Sequence, residues 1–177
     1  MNIFGLARHG LNDFEQISIV GIVLVALLSL VYSYFLRSNV LKKDKGTEKM
    51  QEVWDAIRIG ANSYLTSQVK TIIPAIGLLT IALFLSVYIV SPSLEAQEEF
   101  AGRNVQLIMA IGRSLAFIAG STFSILVGQM GMRMAIQASV RSAAASRRSL
   151  NESLSIAYYS GTFTGMLTDG LVLLGGT

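Results

Sequence analysis

Apolar residues gather into long runs along this chain, and polar residues cluster between them. Four runs stand out, at about residues 17–36, 71–90, 105–132 and 154–176. A helix needs about 20 apolar residues to cross the hydrocarbon core of a bilayer, so each run is read as a transmembrane span. Between the first two runs the pattern changes at Thr47-Glu48. Met50, Val53, Trp54, Ile57, Ala61, Tyr64 and Leu65 recur at helical spacing, and Gln51, Glu52, Asp55, Arg58 and Asn62 take the opposite face. That is an amphipathic helix. No breaker separates it from Thr71, so it is expected to run on into the second span. Pro74 removes one backbone donor there and should bend the helix modestly. Ser91-Pro92-Ser93 ends the second run.

Composition agrees with the pattern. The 177 residues are 52% hydrophobic and only 14% charged, where soluble domains carry about a quarter charged residues. The fold class is all-α, a polytopic transmembrane helix bundle of about four spans. Charge then sets the expected orientation. Arg37, Lys42, Lys43 and Lys45 follow the first run, and Arg133, Arg141, Arg147 and Arg148 follow the third. Glu95, Glu98 and Glu99 lie between the second and third, without lysine. By the positive-inside rule both basic connections are cytoplasmic and the N-terminus is outside. The first run is too long for a signal-peptide core and no Ala-x-Ala site follows it, so it is read as a retained span. The net charge of +3 does not indicate a nucleic-acid partner. No cysteine is present, and His9 is the sole histidine, which excludes thiol chemistry and a His-rich metal site.

The third run carries small residues at every fourth position, Gly112, Ala116, Gly120, Ser124 and Gly128, and the fourth contains Gly161-x-x-x-Gly165. Such spacing lets helix backbones approach closely in lipid, so these positions are assigned to helix packing. Met130, Met132 and Met134 are read as packing fillers. Two charges lie inside apolar runs, Arg113 and Asp169. A charge in lipid is costly and marks a partner or a role. Arg113 stands 20 residues from Arg133 and Asp169 stands 17 from Glu152, a height difference on the order of 5 Å at 1.5 Å per residue. One reading is an intramembrane ion pair. The other has Arg113 snorkelling outward while Asp169 faces another helix or a polar cavity. Arg58, Lys70, Arg133 and Arg141 are read as orientation and phospholipid contacts rather than as attractors of an anionic substrate.

Several blocks resemble the N-terminal part of the membrane-integral, ion-translocating inorganic pyrophosphatases. They are Gly46-Thr47-Glu48-Lys49-Met50, Ile57-Arg58-x-Gly60-Ala61-x-x-Tyr64-Leu65-x-x-Gln68-x-Lys70, Gly131-Met132-x-Met134-Ala135, Val140-Arg141-x-Ala143-Ala144-Ala145, Leu150-Asn151-x-x-Leu154 and Ser160-Gly161-x-x-x-Gly165. In order, they cover about residues 46–175. The resemblance implies a proton- or sodium-pumping enzyme that hydrolyses inorganic pyrophosphate, works as a homodimer and sits in the cell (plasma or inner) membrane as a multi-pass protein. It implies Mg2+, with K+ as a further candidate, bound on later spans by motifs that this chain does not contain. The present segment would then be a non-catalytic, outer supporting part, and the chain an N-terminal portion of a larger pump.

The residues themselves offer no catalytic, metal-binding or substrate-binding set. Hydrolysis of pyrophosphate needs carboxylates converging on magnesium and cations clamping phosphate. Glu48, Glu52 and Asp55 share one helix face, Glu95, Glu98 and Glu99 are expected across the membrane from them, and Asp13, Asp44 and Glu152 are scattered. No Gly-rich loop with Lys-Ser/Thr is present, so an ATP-driven reading has no support. The alternative function is a small complete four-helix membrane scaffold or binding protein without enzymatic activity.

Overall fold

The computed structural model describes residues 12–89 and 104–176. Its secondary structure is helical throughout: α1 (Asp13–Leu41), α2 (Glu48–Ile89), α3 (Val105–Ser146) and α4 (Leu150–Gly176). The acidic loop at 95–99, the Ser91-Pro92-Ser93 stop and His9 lie outside the described residues. The amphipathic segment and the second span form one helix of 42 residues, as the lack of a breaker predicts. Pro74 is accommodated inside it. The third run likewise continues without interruption to Ser146. At 1.5 Å per residue these two helices are each about 60 Å long, twice the thickness of a bilayer core of about 30 Å.

Among the described residues three helices are long and apolar enough to cross a membrane, over Phe14–Leu41, Glu48–Val87 and Val105–Ser146. The chain is a helical membrane protein. The fourth helix has 27 residues, also enough in length. Its Ser, Thr and Gly residues and Asp169 hold its most apolar stretch below those of the other three.

The chain divides into two compact units, Met1–Ala61 with Leu126–Thr177, and Asn62–Ile125. In the first, α1 and α4 pack along each other and onto the C-terminal half of α3. Their core joins Leu36 and Val40 of α1, Met134, Ala138 and Ala145 of α3, and Ile156, Phe163 and Leu167 of α4. A second cluster seats Trp54 of α2 on Ile136 and Val140 of α3. Met134 is buried in the first cluster, Met130 packs on it, and Met132 packs on the second, so all three methionines fill space as expected.

The second unit holds the C-terminal part of α2 and the N-terminal part of α3. Leu65, Val87, Ala110 and Ser114 are buried there, while Leu78, Ile81, Leu85, Ile111 and Leu115 are exposed. Several of its hydroxyls turn back on their own helices: Thr66 donates to the Asn62 carbonyl, Thr71 to Ser67, Thr80 to Ile76 and Thr122 to Ile118. Satisfying a hydroxyl within its own helix suits a segment surrounded by lipid, where water offers no alternative partner.

Candidate functional site

The polar chemistry of the first unit concentrates where α1 ends and α2 begins. Gly46 turns the chain there with φ of 79°, in the left-handed region that glycine enters at little cost. The turn is tight for a second reason. A Cβ on Gly46 would stand 2.8 Å from the Met50 sulfur and 2.9 Å from the Ala144 Cβ. The Gly46 amide donates to Asp44 Oδ1 at 3.0 Å, and Gln51 Nε2 donates to the Gly46 carbonyl at 3.1 Å.

Arg141 locks this turn to α3. Its Nη2 donates to the Leu41 carbonyl at 3.2 Å and its Nε to the Lys43 carbonyl at 3.1 Å. Its Nη1 reaches the Gln137 backbone and side-chain oxygens at 2.7 and 2.8 Å. The last carbonyls of a helix have no partner within it, and here a cation from another helix supplies one. Arg141 is only 4% exposed. Desolvation by burial lowers its pKa from the ordinary arginine value, but arginine remains charged at any physiological pH. The sequence reading placed Arg141 on the surface as an orienting charge, and the structure corrects that. The signal was the spacing of Met134, Ala138, Arg141 and Ala145, which puts the arginine on the buried stripe of α3.

Around this clamp lies an outer ring of exposed ion pairs. Lys43 meets Glu152 at 3.1 Å, Arg148 meets Asp44 at 3.4 Å and Glu152 at 4.0 Å, and Arg58 meets Asp55 at 2.9 Å. Exposed pairs of this kind contribute about 0–1 kcal/mol each. Trp54 anchors α2 by donating from Nε1 to the Ile136 carbonyl at 3.0 Å. The Lys45 ammonium and the Arg58 guanidinium lie 4.7 and 4.9 Å from the centre of its ring. Further along α3 and α4, the Ser142 hydroxyl donates to the Ser153 carbonyl at 3.1 Å and the Ser153 hydroxyl to the Ser142 carbonyl at 2.9 Å.

Close helix approaches occur at other positions than the two glycine motifs. A Cβ added to Gly131 would meet Thr164 at 2.9 Å, and one on Gly170 would meet Leu30 at 2.7 Å and the Ala26 carbonyl at 3.1 Å. Sequence reasoning missed both, because a glycine's partner belongs to a distant part of the chain. At Gly112, Gly120, Gly128, Gly161 and Gly165 an added Cβ would meet nothing within 4 Å. Ala116 and Ser124 are exposed as well, so the whole stripe faces outward. Arg113 and Asp169 are both exposed, Arg113 in the second unit and Asp169 in the first. Arg133 and Lys70 are exposed too.

Among the described residues no three His, Cys, Asp or Glu side chains stand together as a metal site. Asp44, Asp55 and Glu152 each have a cation as neighbour. These three carboxylates are each matched by a cation, and the junction is a structural brace.

Comparison with known proteins identifies the architecture. The family described as inorganic H+ pyrophosphatase matches residues 27–177. A K(+)-insensitive pyrophosphate-energized proton pump of Chloroflexus aurantiacus is 46% identical over 168 residues, 94% of this chain and 22% of the relative. A pump of the same name from Caldanaerobacter subterraneus is 36% identical over 89% of this chain and 21% of its own length. A putative K(+)-stimulated pyrophosphate-energized sodium pump of Bacteroides thetaiotaomicron is 36% identical over 84% and 18%. The chain thus spans about a fifth of the length of these relatives. No solved structure matches. With most of its length matched, and the match including the braced turn, the buried Arg141 and both long helices, the chain belongs to the inorganic H+ pyrophosphatase family.

Proposed function

We propose that this chain is the non-catalytic, outer-helix part of a pump that couples hydrolysis of inorganic pyrophosphate to ion translocation. The observation that carries the reading is a family match over residues 27–177, beside which the carboxylates among the described residues form no metal-binding group. The pumped ion is the proton and transport is insensitive to K+, as the names of the relatives from Chloroflexus and Caldanaerobacter state for those proteins. Pyrophosphate, Mg2+ and the ion path belong to parts of the pump outside residues 1–177. The pump is a homodimer in the plasma membrane. Its basic connections at 37–45 and 133–148 face the cytoplasm, and α4 is the fourth span.

The test uses sealed membrane vesicles bearing the pump. Pyrophosphate with Mg2+ is expected to acidify the lumen without Na+ or K+, read by a pH-sensitive dye. Dependence on Na+ would overturn the ion assignment. The purified 177-residue chain is expected to release no phosphate from pyrophosphate, and steady release would overturn the non-catalytic assignment.

Within the same reading, Arg113 and Asp169 form an ion pair inside the bilayer. Support comes from their similar heights along neighbouring runs and from the cost of leaving either charge alone in lipid. Exchanging the charges, Arg113→Asp with Asp169→Arg, should restore the folded yield that either single change lowers. Equal loss in all three variants would rule the pair out.

A further inference from the structure

An apolar groove runs along the first unit between the start of α2 and the end of α3. Its volume is about 480 Å³, and its walls are Met50, Val53, Trp54 and Ile57 on one side and Val140 and Ala143 on the other. That is within the usual few hundred to a thousand Å³ of small-molecule sites. Val53 and Ile57 remain 61% and 50% exposed along it.

The charges around the groove are sorted by sign. Lys49 lines it, Lys45 lies over the Trp54 ring, and Arg58 lies beside the same ring with Asp55 as its counter-ion. Glu48, Glu52 and Asp55 follow one another at four- and three-residue steps. At 100° per residue this places them on the side of α2 opposite Val53 and Ile57. The groove therefore offers an apolar slot with uncompensated lysines at its mouth.

Its depth along the unit is set by α1. Tyr32, Tyr34 and Phe35 of α1 are exposed, and α1 and α4 are tied at this level by the Ser33 hydroxyl donating to the Phe163 carbonyl at 3.2 Å. One to two turns further on, Leu36 and Val40 share a core with Met134 and Ala138. Trp54 binds the carbonyl of Ile136, between those two residues. Lys42 and Lys43 follow at the end of α1. The groove thus lies between an aromatic girdle and a basic rim, the level of the lipid headgroups.

We propose that this groove is a binding site for an anionic phospholipid, with an acyl chain along Val53, Ile57 and Val140 and the phosphate held by Lys45 and Lys49. Basic pockets between helices at the membrane surface select acidic headgroups in this way. Trp54, the sole tryptophan of the chain, reports on the occupant directly.

The experiment reconstitutes the protein into phosphatidylcholine vesicles doped with an equal fraction of bromine-labelled phosphatidylglycerol or bromine-labelled phosphatidylcholine, and reads quenching of Trp54 fluorescence. Bromine quenches only on contact. The anionic lipid is expected to quench several-fold more strongly, with each lysine worth about fivefold in affinity. The preference should shrink in about 1 M salt, where the screening length falls to about 3 Å. Lys45→Gln with Lys49→Gln should abolish the preference, and Lys49→Arg should keep it, which separates loss of charge from loss of fold. Equal quenching by the two lipids would overturn the proposal. So would no quenching by either, which would mean that protein covers the groove.

Discussion

The two units of this chain differ in how far their polar groups reach from one helix to another. In the first, polar groups of one helix are answered by another: Arg141 on α3 by carbonyls at the end of α1, Trp54 on α2 by a carbonyl of α3, Ser142 on α3 by Ser153 on α4. In the second, the hydroxyls of Thr66, Thr71, Thr80 and Thr122 are answered by the helix that carries them. The most apolar stretch of α2 has no buried residue. A helix whose polar groups are internally satisfied can be set in lipid without a neighbour. One that lends a cation to another helix is bound to that neighbour. The first unit adds specific bonds between helices to its apolar core.

This contrast predicts a gradient of mutational effects. The largest belongs to Arg141→Ala, which strips partners from the carbonyls of Leu41 and Lys43. Charge-assisted hydrogen bonds are worth about 1.5–3 kcal/mol each, so a loss of about 3 kcal/mol is expected. Unfolding in graded SDS would measure it, and a loss below about 1 kcal/mol would mean that water replaces the guanidinium. Next comes Gly170→Val, whose side chain is forced onto Leu30 and the Ala26 carbonyl. Overpacking of this kind costs about 1–3 kcal/mol, read as a lower thermal midpoint in detergent, and Leu30→Ala should recover part of it. The smallest effect, and opposite in sign, is expected for Gly120→Ala on the exposed stripe. With no atom within 4 Å of the new methyl, the chain should gain about 0.5–1 kcal/mol from a better helix former. Destabilisation of this chain by that change would show that the stripe already has a partner within it.

Sequence legibility follows the same division. Continuity of α2 across Pro74 was readable, because it depends on local propensity and the absence of a breaker. The helix start after Thr47 was readable for the same reason. The turn at Gly46 appeared as part of a family block, but its positive φ did not. Close contacts at Gly131 and Gly170 were not readable, since the tight partner of each lies on another helix, at Thr164 and Leu30. The stripe from Gly112 to Gly128 was plain as a pattern, yet a pattern does not say what it faces. Arg141 is the instructive case. A basic residue beyond an apolar run has an obvious explanation as an orienting charge, and that explanation hid its place on the buried stripe of Met134, Ala138 and Ala145.

The brace has a consequence for synthesis. The carbonyl of Leu41 and the guanidinium of Arg141 are separated by 100 positions. At about 5–20 residues per second, a ribosome needs roughly 5–20 s to travel between them. Throughout that interval the tail of the first helix must keep its carbonyls wetted. Docking of the first helix is therefore timed by arrival of the third, and a pause in translation between them would prolong a half-assembled state at the membrane surface.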